Sequence, residues 1–227
     1  MNMDEIEWKV SDAPVPYEEA LAFQEQRVAE IIVGEAGPCI WFLEHPPLYT
    51  AGTSAKSEDL LSKDQFPVYQ TGRGGEYTYH GPGQLVVYVM MDLKQLFAPN
   101  APDLKAYIAR LEGWIIAALA EYGVQGAVRE GMIGVWVDQE SESPHMRAAG
   151  KQGSTNKIAA IGVRVRKWVA YHGLCINVAT NLDDYQGIVP CGISEFGVTS
   201  LEQLGVAATI EEMSTVMRKN TTRFLDH

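Results

Sequence analysis

The chain has 227 residues, of which 46% are hydrophobic, and a formal net charge of −11. These values suit one globular domain with a full core and argue against general nucleic-acid binding. No apolar run is long enough to span a membrane, and the acidic start Met1–Glu5 lacks the form of a signal peptide. Three widely spaced cysteines fit neither a disulfide framework nor a zinc site, so we expect a cytoplasmic protein without metal or membrane contact.

The charge is unevenly distributed along the chain. Residues Ser143 to Leu182 contain six basic residues and no Asp or Glu. A basic face on an acidic protein predicts docking of an acidic partner. The alternative is that these side chains are simply solvated on strand edges, where Lys is common.

The first half of the chain predicts two helices and two strands. Apolar spacing indicates helices at Tyr17–Val33 and Pro102–Tyr122, with Pro102 in the first turn of the second helix and Gly123 ending it. The short apolar run Cys39–Leu43 and the Val-rich Gln84–Met91 predict buried strands.

The second half predicts paired strands around a polar segment. Residues Asp138–Asn156 lack periodicity and predict a long mobile loop. The flanking elements are strands at Val124–Val128, Ile133–Val137, Lys157–Val165 and Trp168–Val178, a turn at Arg166–Lys167, and a helix at Ile210–Leu225. Because helices and strands interleave without regular βαβ repetition, we expect an α/β fold with a mixed β-sheet and flanking helices, formed by residues 1–227 as one domain.

Cys191 is the most informative single residue, because it stands between Pro190 and Gly192. Proline fixes the backbone and glycine frees it, which suits a thiol held at a turn and open to a ligand. Such a thiol becomes a nucleophile when a nearby base or cation stabilises its thiolate. Cys39 and Cys175 lie in apolar strand patterns and are predicted to be structural.

A glycine-rich segment extends from Gly72 to Gln84 and carries Arg73 and His80 among five glycines. Glycines let the backbone approach a ligand closely, and the polar side chains could line a pocket. The alternative is a tight hairpin connection. His80 is the best functional candidate among the histidines, since His45 and His172 could equally be polar residues at strand ends.

Lys157 begins an otherwise apolar strand and follows the polar loop. It could extend to solvent, as most lysines do. Beside a thiol it would stabilise the thiolate and carry protons. The small residues Ala159, Ala160 and Gly162 leave room along this strand for a slender ligand.

Taken in order, these segments resemble the octanoyltransferases of lipoate biosynthesis, also called lipoyl(octanoyl) transferases. The resemblance covers residues 40 to 200, and its order and composition are highly specific. The matching segments are Leu43–Gly52, Arg73–Val86, Gly134–Val137, Lys157–Gly162, His172–Gly173 and Val189–Ile193.

The resemblance implies a fold similar to the catalytic domains of lipoate and biotin protein ligases. It implies transfer of an octanoyl group from acyl carrier protein, through a thioester on Cys191, to a lysine of lipoyl domains in 2-oxoacid dehydrogenase complexes and of glycine cleavage H protein. Lys157 would be the second catalytic residue, and no cofactor is required. The implied substrate-binding residues are Arg73, Gly74, Gly75, Glu76, Tyr77, Thr78, Tyr79, His80, Ala160, Ile161, Gly162, Gly173, Leu174 and Cys175.

Three other functions fit part of the pattern. An ATP-dependent lipoate or biotin-type protein ligase would activate the acid as an adenylate and would not need Cys191. A hydrolase would use His80 or His172 as the base for Cys191. A module that only binds lipoyl domains or acyl carriers would use neither Cys191 nor Lys157 as a reactant.

Overall fold

The computed structural model describes residues 3–139, 154–189 and 197–226. Within these residues the strands are β1 (Glu7–Val10), β2 (Cys39–Leu43), β3 (Leu48–Ala51), β4 (Val68–Gln70), β5 (Tyr77–His80), β6 (Gln84–Asp92), β7 (Ala127–Arg129), β8 (Met132–Gln139), β9 (Ser154–Arg166), β10 (Val169–Asn177) and β11 (Gly197–Val198).

In the described ranges, the main sheet has eight strands, in the order β1-β2-β6-β10-β9-β8-β7, with β11 paired to β9. The β1–β2 and β9–β11 pairs are parallel and the other pairs are antiparallel, so the sheet is mixed as predicted. A second sheet, in the order β4-β3-β5, contains the middle of the glycine-rich segment as β5.

Helices cover both faces of the main sheet. They are α1 (Tyr17–Val33), α2 (Leu93–Phe97), α3 (Leu104–Ala120), α4 (Ile210–Lys219) and α5 (Thr222–Leu225). On one face α1 packs Val28 in a cluster with Trp41. On the other face Trp114 of α3 packs with Met217 of α4, and the Trp114 indole donates a hydrogen bond to the Met217 carbonyl at 2.7 Å.

Most predicted elements are confirmed, and the differences have local causes. Helix α3 begins at Leu104 because the Asp103 carboxylate accepts the backbone N–H of Lys105 at 2.8 Å. Pro102 therefore lies before the helix, and its predicted place in the first turn is wrong. The predicted helix Ile210–Leu225 is divided into α4 and α5, and the Thr221 hydroxyl at the break donates to the Arg218 carbonyl at 2.8 Å.

The predicted loop at 138–156 is wrong at both ends. Asp138 pairs with Thr155 in the ladder between β8 and β9, and the Thr155 hydroxyl donates to the Asp138 carboxylate at 2.6 Å. Residues 140–153 lie outside the described residues. The following turn is centred on Lys167 and Trp168, one residue later than predicted, and both have positive φ (51° and 69°), as in a two-residue hairpin turn.

A search for membrane-spanning segments over the described residues finds no helix of sufficient length and apolar character.

Candidate active site

A cavity of about 730 Å³ lies over the centre of the main sheet. Its walls come from β6, β9 and β10, from the glycine-rich segment, from the start of α3, and from the turn between β7 and β8. Lys157 lines it. So do these implied substrate-binding residues: Arg73, Gly74, Gly75, Glu76, Tyr77, Thr78, His80, Ala160, Ile161, Gly162, Gly173, Leu174 and Cys175. The structure thus brings three separated segments together, and their role in binding remains a prediction.

Tyr79 does not belong to the lining. Side chains alternate along β5, so Tyr79 faces away from Thr78 and His80. It packs with Tyr49 in a separate cluster, and its hydroxyl donates to the Asp184 carboxylate at 2.8 Å. Tyr79 therefore supports the cavity wall from behind.

Lys157 is held by backbone and aromatic groups of β8. Its side chain is mostly buried, with the residue 8% exposed, so it does not extend freely into solvent. Its Nζ donates to the Ile133 carbonyl at 2.9 Å and lies 4.6 Å from the centre of the Trp136 ring. These contacts fix the ammonium group at the cavity wall.

Gly134 makes room for this arrangement. A Cβ added there would lie 3.3 Å from Lys157 Cε and 3.5 Å from Nζ, and 2.6 Å from the Ala159 carbonyl oxygen. The φ of Gly134 is +121°, which side-chain-bearing residues rarely adopt. The position of the Lys157 amine therefore depends on a residue without a side chain.

Cys191 lies outside the described residues, as do its neighbours 190 and 192–196. The described chain on either side is anchored. The Val189 N–H donates to the Asp59 carbonyl at 2.8 Å, and Gly197 and Val198 pair in parallel with Asn156 and Lys157. The chain that follows Cys191 therefore rejoins the sheet directly beside Lys157.

Arg73 braces the glycine-rich roof of the cavity. Its Nη2 donates to the Thr50 carbonyl at 2.9 Å and the Glu76 carbonyl at 3.0 Å, and its Nη1 donates to the Gly74 carbonyl at 3.0 Å. A Cβ at Gly162 would lie 2.8 Å from Arg73 Cδ, so β9 can pass beneath Arg73 only because this position has no side chain. These bonds fix the glycine-rich segment against β3.

Two buried histidines close the side of the site next to β5. The Nδ1 of His45 donates to the Val15 carbonyl at 2.6 Å, so its Nε2 accepts from the Tyr88 hydroxyl at 2.6 Å. The Nδ1 of His80 donates to Gln84 Oε1 at 2.7 Å. Burial lowers the pKa of His45 to about 4 and that of His80 to about 3.

His172 is the third buried histidine. Burial, with the nearby charges of Arg73 and Arg164, lowers its pKa to about 4. The three buried histidines (His45, His80 and His172) are thus neutral at neutral pH. Lys157 is the basic side chain that β9 contributes to the lining.

Several lining residues escaped the sequence reasoning. They come from the start of α1, the first two turns of α3, β3 and the segment after it, β6, β9, the β7–β8 turn and the start of β8. No local pattern marks them, because tertiary packing alone brings them together. They are Tyr17, Thr50, Ser54, Val86, Tyr88, Leu104, Lys105, Ile108, Gly131, Met132, Ile133 and Val163. His172 also lines the cavity; it was quoted in the family resemblance without a binding role.

Within the described parts of the chain, no group of three or more His, Cys, Asp or Glu residues could hold a metal ion.

Comparisons with known proteins place this chain in a family. Residues 16–222 match the model of the lipoyl protein ligase A/B catalytic domain. A protein of Jannaschia sp. named octanoyltransferase is 53% identical over 94% of this chain and 96% of its own length. Another octanoyltransferase, from Dinoroseobacter shibae, is 55% identical over 94% of each chain.

Solved structures support the fold at lower identity. A bipartite lipoate protein ligase from Thermoplasma acidophilum is 14% identical, with a TM-score of 0.67 over 97% of this chain and 84% of its own. The biotin protein ligase from Aquifex aeolicus is 14% identical, with a TM-score of 0.50 over 98% of this chain and 68% of its own. The predicted likeness in fold is confirmed, and the chain belongs to the lipoyl protein ligase A/B catalytic domain family.

Proposed function

We propose that the chain transfers an octanoyl group in two steps, through a thioester on Cys191. The observation that carries this proposal is the buried Lys157 amine in the cavity wall, beside the strand through which the Cys191 segment rejoins the sheet. Octanoyl transfer itself follows from relatives that are 53% and 55% identical over nearly the whole chain and are named octanoyltransferases. The chain is accordingly an acyltransferase of lipoate biosynthesis.

The short stretch of chain between Cys191 and β11, the strand beside Lys157, supports cooperation of these two residues. Cys191 precedes Gly197 by six residues, and Gly197 pairs with Asn156, the neighbour of Lys157. Six residues span at most about 20 Å even when fully extended. Cys191 is therefore tethered within reach of the cavity that Lys157 lines.

In the first step the Cys191 thiolate attacks the carbonyl carbon of an octanoyl thioester. The positive charge of the Lys157 ammonium stabilises this thiolate. The new carbon–sulfur bond forms as the carrier sulfur leaves with the proton of the Lys157 ammonium, so Lys157 is left as the neutral amine. One thioester replaces another at nearly equal free energy. The octanoyl chain lies in the cavity along β9, where the small side chain of Ala160 leaves it room.

In the second step the amine of a lysine on a lipoyl domain attacks the Cys191 thioester. Lys157, as the neutral amine, accepts the proton that this amine loses, and the Cys191 sulfur leaves. An amide replaces a thioester, which is downhill, so neither ATP nor a metal is needed. The acyl donor is octanoyl-acyl carrier protein, and the acceptors are lipoyl domains of 2-oxoacid dehydrogenase complexes and glycine cleavage H protein.

The alternative functions lack comparable support. The lipoate and biotin ligases that share the fold are 14% identical, a level that speaks for the fold alone. Among the candidate bases of a hydrolase, His80 has a pKa lowered to about 3 by burial, and its Nδ1 already donates to Gln84. A base with so low a pKa is poorly matched to a thiol at neutral pH.

Intact-mass measurement after mixing the chain with octanoyl-acyl carrier protein tests the proposal. One octanoyl group should appear on the chain, be removed by hydroxylamine, and move to a lipoyl domain when one is added. Cys191→Ser should abolish transfer, whereas Cys39→Ala, which alters a buried thiol away from the cavity, should retain it. Transfer by Cys191→Ser at the parent rate, or a requirement for ATP with free octanoate, would contradict the proposal.

A further inference from the structure

His172 has an unusual backbone conformation within a central strand. Its φ is +58°, a region that residues other than glycine seldom occupy, although His, Asn and Asp are enriched there. Tyr171 and His172 are paired with β9 but leave the ladder with β6, and the His172 N–H donates to Gln24 Oε1 at 2.8 Å instead. Gln24 is fully buried on α1, so this bond is built into the core.

The conformation redirects the His172 ring towards the cavity. Successive side chains of a strand normally point to opposite faces. Here the rings of Tyr171 and His172 are stacked instead, with centres 4.9 Å apart and planes 19° apart. The His172 ring thereby lines the cavity and meets the edge of Tyr88 at 6.4 Å. Departures of this kind persist where the surrounding structure enforces them, and they cluster at functional sites.

The redirected ring is packed firmly at the cavity wall. His172 is 3% exposed, and its Nε2, which makes no hydrogen bond within the described residues, is buried beyond the reach of solvent or of a ligand. The ring therefore acts on the cavity through its bulk. Tyr17 and Tyr88 line the cavity too.

The register of the sheet places His172 at the end of the cavity remote from the Lys157 amine. The amine lies beside Gly134 and the Ala159 carbonyl, and His172 is paired with Val163, four residues further along β9. Four strand residues span about 13 Å. An extended octanoyl chain measures about 9 Å from its first to its last carbon, at about 1.25 Å per bond for carbon–carbon bonds of normal length and angle. With its thioester sulfur, the chain would end just before His172.

We propose that His172 is the chain-length stop of the acyl cavity, and that its ring, held by the Gln24 hydrogen bond, disfavours acyl chains whose last carbons would reach it. Each further buried methylene would otherwise favour binding about fourfold. A carbon chain pressed against the fixed ring would have to displace it, and overpacking of this kind costs about fivefold to 150-fold in affinity. Two further methylenes would gain about 16-fold, which the middle and upper part of this range exceeds, so the preferred chain ends at eight carbons. This inference rests on the proposed function and assigns a specificity role to a residue outside the catalytic pair.

Self-acylation rates with carrier-bound chains of six, eight, ten and twelve carbons test the stop. His172→Asn and His172→Gly both tolerate a positive φ and shorten the side chain. Both should raise the ratio of the ten-carbon rate to the eight-carbon rate about tenfold, because the shorter side chain removes the penalty on the longer acyl chain. Val86→Ala is the matched control, because it widens the cavity at the level of Cys175 without lengthening it, and should leave the ratio unchanged.

A larger side chain next to His172 provides an independent test that leaves His172 itself unchanged. Val163 is partly exposed and paired with His172, so Val163→Phe should thicken the end wall and raise the ratio of six-carbon to eight-carbon rates. Unchanged ratios in the His172 variants and in Val163→Phe would overturn the stop while leaving octanoyl transfer in place. Absence of any acyl adduct on the parent chain would overturn the proposed function and the stop together.

Discussion

The dependence of Lys157 on Gly134 yields a sharp prediction for Gly134→Ala. The added methyl carbon would lie 2.6 Å from the Ala159 carbonyl oxygen, which belongs to the backbone and cannot rotate away. It would also lie 3.3 Å from Lys157 Cε, which is a tight contact, and 3.5 Å from Lys157 Nζ, which is ordinary van der Waals contact. The variant must shift β8 or the lysine, and the Nζ bond to the Ile133 carbonyl is the contact most exposed to that shift.

Two magnitudes follow from this geometry. A residue with a side chain at φ +121° lowers the free energy of unfolding by about 1–3 kcal/mol. For a domain of this size, a loss of about 2 kcal/mol lowers the Tm by about 4–8 °C. Displacement of a catalytic group by about 1 Å can cost about 100-fold in rate. We expect kcat for octanoyl transfer to fall about 10-fold to 100-fold, with little change in KM for the acyl donor.

The assay is single-turnover transfer to a lipoyl domain, followed by mass spectrometry, with Tm measured on the same samples. Gly123→Ala is the control, since Gly123 also has positive φ (+72°) but a Cβ there meets nothing within 4 Å. It should lose stability through backbone strain and keep its transfer rate. A Gly134→Ala chain with parental kcat, or equal loss of rate in both variants, would refute the claim that Gly134 positions the amine.

Three further outcomes are expected. Gly113 is exposed within α3 with nothing near its would-be Cβ, so Gly113→Ala should raise the free energy of unfolding by about 0.8–1 kcal/mol in urea melts, and a lower value would contradict it. The three buried histidines have folded pKa values of about 3 to 4, below the unfolded value of about 6.5, so the unfolded state binds protons first as pH falls. Stability should therefore drop from about pH 6.5 towards pH 4 by up to about 4 kcal/mol per pH unit, and constant stability over pH 6.5–4.5 in urea would refute this. Arg166 and Lys167 are exposed near the β9–β10 turn, and alanine at both should raise KM for the acyl carrier and weaken the salt dependence of this KM. Alanine at the exposed Lys63 should change neither quantity. An unchanged salt dependence in the double variant would count against docking of the carrier at Arg166 and Lys167.

Local signals predicted those elements whose ends are set by neighbouring residues. Helix α1 ends at Val33 because Gly34 adopts a left-handed conformation (φ 78°) and its N–H donates to the Ile31 carbonyl. Strand β2 is wholly buried, as its continuous apolar run indicates. In both cases the information lies within a few residues of the boundary.

The cavity could be predicted only in part, because its walls meet through tertiary packing. The glycine-rich segment and the small residues Ala160 and Gly162 were visible as candidates. The contributions of Leu104 and Met132 were not, since they depend on how α3 and the β7–β8 turn pack over β9. The redirection of His172 was hidden as well, because the strand pattern predicts alternation and the exception requires Gln24 on a distant helix.

The pairing of β6 with β10 has a consequence for how the chain reaches its native state. Gln84 pairs with Asn177, and β6 also pairs with the earlier β2, so the middle of the sheet joins segments that are far apart in sequence. Such contacts form only after a long loop of chain has closed, and the conformational entropy lost in closing it slows folding. During synthesis the first half of the chain can form α1 and β2, but the cavity gains its floor only after β10 has left the ribosome. The nascent chain must therefore keep the apolar edge of β6 from other strands until then, a period in which a chaperone would improve the yield of folded enzyme.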